Sequence, residues 1–142
     1  MFFRAAVIFC ALSLGVVPLA ATADEVDDLT REISSLHQAN KHAEAVQKLN
    51  ALPSLAYLGQ QKLEQSMPAM QQVLGSMGVV ARVTVLKDQR IGDQLRRVHL
   101  LLSGTAMPIL LSLNFHHPLD RWELYSYTYS SELGRLPWGE LR

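Results

Sequence analysis

The residues of this chain most able to do chemistry are its five histidines, and their spacing argues against a shared task. His116 and His117 are neighbours in a run that reads as strand, so their side chains point to opposite faces and cannot chelate together. His37 and His42 straddle a break at Ala39-Asn40-Lys41 and lack the four-residue spacing that puts two imidazoles on one helix face. A site built from His99, His116 and Glu123 has no spacing that requires it. Gly75-Ser76-Met77-Gly78 is not preceded by a strand, and no Gly-x-Ser-x-Gly elbow occurs. Met67, Met70 and Met77 follow helical spacing, which suits a helix core better than a soft-metal site. Arg82, Arg97 and His99 fall on one face and offer a weak anion site. No catalytic group, no metal and no cofactor is expected.

The elements that would hold these residues divide the chain into a helical half and a strand half. Val26, Leu29, Ile33 and Leu36 recur at three- and four-residue spacing, the stripe of an amphipathic helix. Asp24, Asp27 and Asp28 crowd its first turn, where carboxylates favour the helix dipole. After Ala39-Asn40-Lys41, a short helix carries Ala43, Val46 and Leu49. Leu55 to Gln65 is helical in pattern, and Ser66 with Pro68 reads as the start of a further helix through Met77. From Val79 the period becomes two. Strands are expected at Val79–Leu86, Leu95–Ser103, Met107–His116 and Arg121–Tyr129, joined by turns at Asp88–Asp93, Gly104–Ala106 and His117–Asp120. Short links between consecutive strands imply an antiparallel meander. The predicted fold is α+β, with N-terminal helices packed on one face of a four-stranded antiparallel sheet.

Centring each turn on its polar residues sets a register. Val83 then faces Leu100, Leu100 faces Leu111, Val98 faces Leu113, Leu113 faces Leu124, and Phe115 faces Trp122. One face is apolar and lies under the helices. Leu100, Leu111, Leu113, Phe115 and Trp122 on that face are candidates to line a ligand cavity. Ser126 and Thr128 are the polar residues there, so the inner face carries no acid or base. Arg96, also inward, is expected to snorkel to the sheet edge. The outer face holds Arg97, His99, Leu110, Asn114, Glu123, Tyr125 and Tyr127, the candidate interface or anion-binding surface. Arg97, Asn114 and Glu123 read as a cross-strand polar ladder. Leaving both tyrosines with Leu101 and Leu110 in water would expose much apolar area, which points to a covering partner.

Three features together resemble a known group: helices first, then Gly78-Val79-Val80, then Ile91-Gly92-Asp93-Gln94-Leu95-Arg96-Arg97 and a final Asp120-Arg121-Trp122-Glu123-Leu124. Over Ala39 to Tyr129 the chain resembles small exported domains of the nuclear transport factor 2-like (cystatin-like) superfamily. The resemblance implies a cone-shaped α+β fold, an apolar cavity between helices and sheet, and dimers formed through the sheet. It implies no single function, because that fold hosts enzymes, carriers and assembly modules.

Length and charge bound what remains. The chain has 142 residues, with 13 basic against 13 acidic. Arg4, the apolar run Ala5–Val17, Pro18 and Ala21-Thr22-Ala23 form the n-region, h-region and cleavage site of a secretion signal. Residues 1–23 are expected to be removed, giving an exported protein in the periplasm or outside the cell. Residues 24–129 are then one α+β domain, and 130–142 a loop-like tail. Cys10 leaves with the signal, so no disulfide or thiol chemistry is expected. A near-neutral mature chain excludes a polycationic nucleic-acid binder, and no later stretch is long and apolar enough to cross a bilayer. Two readings follow. The first is a non-catalytic exported module that forms a homodimer or binds a protein through the outer sheet face. The alternative is a carrier of a small apolar ligand between helices and sheet.

Overall fold

The computed structural model describes residues 24–133; the expected signal segment (1–23) and the tail residues 134–142 lie outside them. The order is α1 (Glu25–Gln38), α2 (His42–Asn50), a 3-10 helix (Pro53–Leu58), α3 (Gln60–Ser76), then β1 (Val80–Ile91), β2 (Leu95–Gly104), β3 (Pro108–His116) and β4 (Glu123–Ser130). The four strands form one antiparallel sheet in the order β1-β2-β3-β4. The fold is α+β, with the helices ahead of a four-stranded meander. Among the described residues no helix is long and apolar enough to cross a membrane.

α1 begins where Asp24 accepts a hydrogen bond from the Val26 N–H at 3.1 Å, with Glu25, Asp27 and Asp28 in its first turn. Its inner stripe of Val26, Ile33 and His37 packs over β1 and β2. α2 leans on α1 through Ala45, Val46 and Leu49, while the 3-10 helix and α3 lie against β4. The turn between α1 and α2 depends on Asn40 at φ 60°, and its Oδ1 accepts from the Val80 N–H at 2.7 Å. That bond ties the helix pair to the first residue of the sheet. Gly59, not Ser66, separates the 3-10 helix from α3, which runs through Ser66 without a restart. Pro68 falls on the exposed side of α3, where the missing N–H costs least.

The core lies between helices and sheet. Leu100, Leu102, Ile109, Leu111 and Leu113 are fully buried there, each worth roughly 1.5–3 kcal/mol relative to exposure. The exit from α3 is close-packed against β2. A Cβ on Gly104 would stand 2.2 Å from the Met77 carbonyl oxygen, so only glycine fits.

Register agrees with the sequence in the centre and departs from it at both edges. Leu100 faces Leu111, and Val98 faces Leu113, as expected. Val83 faces Leu102 rather than Leu100, because β1 carries irregularities at Val80/Arg82 and Val85/Lys87. β1 also runs on through Asp88 to Ile91, past the expected turn. In β4, Phe115 faces Leu124 rather than Trp122, and Leu113 faces Tyr127 rather than Leu124.

β1's extra length places Asp88 beside Arg96. Arg96 does not snorkel: it is 5% exposed and bound by three carboxylates. Its Nε and Nη2 donate to the two oxygens of Asp88 at 2.8 and 2.6 Å, Nη2 also meets Asp27 at 2.5 Å, and Nη1 donates to Asp24. The guanidinium holds the Asp88 carboxyl below its usual range. Arg90 adds a 2.9 Å contact to Asp24. The acidic first turn of α1 is therefore also a clamp onto β1 and β2.

Candidate functional site

A bulge in β4 decides which side chains lie beneath the helices. Asn114 faces Ser126 and Phe115 faces Leu124, so Tyr125 is the extra residue between them. Tyr125 and Ser126 consequently both turn outward. The Tyr125 ring meets His116 edge-on at 5.5 Å, and Ser126 Oγ accepts from Asn114 Nδ2 at 3.0 Å. After the bulge the alternation is inverted. Tyr127 and Tyr129 point in, while Ser126 and Thr128 point out. Strict alternation from Leu124 gives the opposite, so the outward placement of Tyr127 and the inward placement of Ser126 and Thr128 are corrected.

The inward tyrosines join a buried polar network that spacing alone did not indicate. Tyr127 Oη donates to Asn50 Oδ1 on α2. Tyr129 Oη lies 2.8 Å from His37 Nε2, and His37 Nδ1 lies 2.9 Å from His42 Nδ1. The Asn40 turn folds α2 back on α1 and so brings together two histidines that no single helix would pair. One hydrogen fits between the two Nδ1 atoms, so one ring donates and the other accepts. Burial, then the neighbouring His42, lowers the His37 pKa from its usual 6.5 to about 4. Burial also lowers His42. Burial pushes Tyr127 up to about 12 against the opposing bond to Asn50, and pushes Tyr129 further up, helped by Tyr127. At neutral pH the network is uncharged: Asn50 holds the Tyr127 hydroxyl, and His37 is shared between Tyr129 and His42. Among the described residues no group of three or more histidine, cysteine or acidic side chains could hold a metal.

Beside this network a groove of about 390 Å³ runs between α3, the 3-10 helix and β4. Leu55, Leu58, Leu63, Ala69, Met70 and Val73 form its apolar wall, and Ser126, Tyr127, Thr128 and Tyr129 its other side. Among the described lining residues Lys62 carries the only formal charge.

The candidate cavity residues do not share this space. Leu100, Leu111 and Leu113 are fully buried in the core. Phe115 and Trp122 border a separate cleft of about 240 Å³ between α1, the 3-10 helix and the start of β4. Trp122 precedes β4 and lies against His117, with its ring 5.8 Å from the Arg90 guanidinium.

The outer face is a polar ladder with apolar ends. Arg97 Nε donates to Asn114 Oδ1 at 2.7 Å, and Asn114 passes the chain to Ser126, not to Glu123. The bulge moves Glu123 opposite His116, where it also holds Arg121 at 2.9 Å. His99 Nδ1 meets Ser112 Oγ at 2.8 Å. Leu110, paired with Leu101, is 6% exposed.

No family model matches this chain, and neither a curated protein nor a solved structure matches it.

Proposed function

We propose that this chain is an exported, non-catalytic binding module that takes an apolar ligand in the groove between α3 and β4. One observation carries the reading: the groove of about 390 Å³ has an apolar wall and a tyrosine-bearing floor. That volume and lining suit a binding site. Its described lining holds no carboxylate and no histidine, and burial holds both tyrosine hydroxyls in the protonated form. Proton-transfer chemistry has no base there. Export rests on Arg4, the apolar run and Ala21-Thr22-Ala23. The nuclear transport factor 2-like assignment belongs to the same proposal, on the order of helices and strands.

The reading is tested with the dye 1-anilinonaphthalene-8-sulfonate. Saturable fluorescence that Ala69→Arg abolishes, with far-ultraviolet circular dichroism unchanged, is the expected result. Equal dye binding by wild type and Ala69→Arg would remove the groove as the site.

A second reading, pairing of two copies through the outer face, is favoured by Ile91 and Leu95. They face each other at the hairpin end and are 49% and 39% exposed. Sedimentation of wild type against Leu95→Asp tests it.

A further inference from the structure

The groove touches Ser126, Tyr127, Thr128 and Tyr129 in succession. A cleft lying over one face of a sheet would meet alternate residues only, because successive side chains of a strand point to opposite faces. Contact with four consecutive residues means that the groove follows the edge of β4, where the backbone itself is presented. β4 is the last strand of the sheet, and among the described residues no strand pairs with its outer edge.

The two edges of the sheet are built differently. β1 carries Arg82, Lys87 and Arg90 and two register irregularities, features that discourage pairing with another strand. Beyond Glu123, β4 reads Leu-Tyr-Ser-Tyr-Thr-Tyr-Ser, with no lysine, arginine or proline. Its one bulge lies at Tyr125, before the stretch that lines the groove. An edge of this composition is open to a further strand.

We propose that the occupant of the groove is an extended peptide segment of another protein, added as a fifth strand along Ser126–Tyr129. The proposal rests on the binding role of this groove argued above. Backbone pairing with β4 would set the register, and every second side chain would drop toward Leu63, Met70 and Val73. Those positions take apolar residues. Lys62 at the rim favours an acidic residue or a free carboxylate at one end of the segment. A second copy of this chain fits poorly. Its β4 carries its own α3 and 3-10 helix on the inner side, and these would compete for the space the groove occupies.

The test uses a fluorescein-labelled eight-residue peptide that alternates valine and threonine and ends in glutamate, followed by anisotropy with the full chain. Saturable binding is expected. It should weaken at least about tenfold in Ala69→Arg, and by a similar factor when alternate peptide nitrogens are methylated, because the donors of an added strand are lost. Lys62→Glu, an exposed change that leaves the fold alone, should weaken this peptide and strengthen one ending in lysine. Dye binding blocked by Ala69→Arg without peptide binding would overturn the strand-addition proposal and leave the groove reading intact. Loss of neither ligand in Ala69→Arg would overturn both. Peptide binding indifferent to N-methylation, or a concentration-dependent dimer abolished by Ala69→Arg, would also overturn it.

Discussion

Acid should unfold this protein through His37 before it reaches the carboxylates. His37 has no exposed surface, and its ring nitrogens are committed to Tyr129 and His42. Charging it would desolvate a cation and set it against the neighbouring His42. Its pKa therefore falls from 6.5 to about 4 on folding. The unfolded chain binds the proton more readily, so stability is full above pH 6.5 and declines as pH falls toward 4. At 1.36 kcal/mol per pKa unit the whole interval amounts to roughly 3 kcal/mol, of which roughly 2 is lost between pH 7 and 5. His42, shifted in the same direction, adds to the same decline. Urea denaturation of wild type and His37→Phe at pH 7, 6 and 5 checks the value. The variant starts less stable, because Tyr129 loses its partner, but its stability should fall by less than half the wild-type amount over this range. Parallel declines in the two proteins would refute the assignment of the acid sensitivity to this pair.

Other perturbations separate the remaining parts. Arg96→Met should cost about 2 kcal/mol in urea denaturation. That is below the ~3–5 of a wholly buried broken pair, since Asp27 and Asp88 keep 51% and 37% of their side-chain surface in water. Tyr129→Phe leaves His37 Nε2 without its partner and should cost about 1–3 kcal/mol by the same assay. Gly104→Ala forces a Cβ into the Met77 backbone and should lower the midpoint of thermal unfolding by several degrees, read by circular dichroism. Deleting Tyr125 removes the extra residue of the bulge without changing which way Tyr127 and Tyr129 point. Ultraviolet titration of the deletion variant should still show tyrosines that stay protonated above pH 10; complete ionisation near 10 would mean that the strand has slipped.

What the sequence reveals and what it hides divides along physical lines. The centre of the sheet was legible because Val98, Leu100 and Leu102 alternate without interruption and face Leu113, Leu111 and Ile109, which do the same. A slip there would turn Arg97 and His99, or Asn114 and Ser112, into the core. α1 was legible for the same reason, from its three- and four-residue stripe. The candidate site was not, because each of its parts depends on an interruption. His37 and His42 meet only through a left-handed asparagine between two helices. Arg96 was rightly placed on the inner face, but its partners come from the first turn of α1 and from a strand that runs past its expected turn. In β4, Leu124, Tyr127 and Tyr129 all lie inward, and an odd spacing between Leu124 and Tyr127 is incompatible with simple alternation. The signal was present in the polar rows. Ser126 and Thr128 sit opposite Asn114 and Ser112, so one bulge turns two tyrosines inward and keeps four small polar side chains outside. That same inversion brings Tyr127 and Tyr129 to the groove and joins the His37–His42 pair, through Tyr129, to its lining.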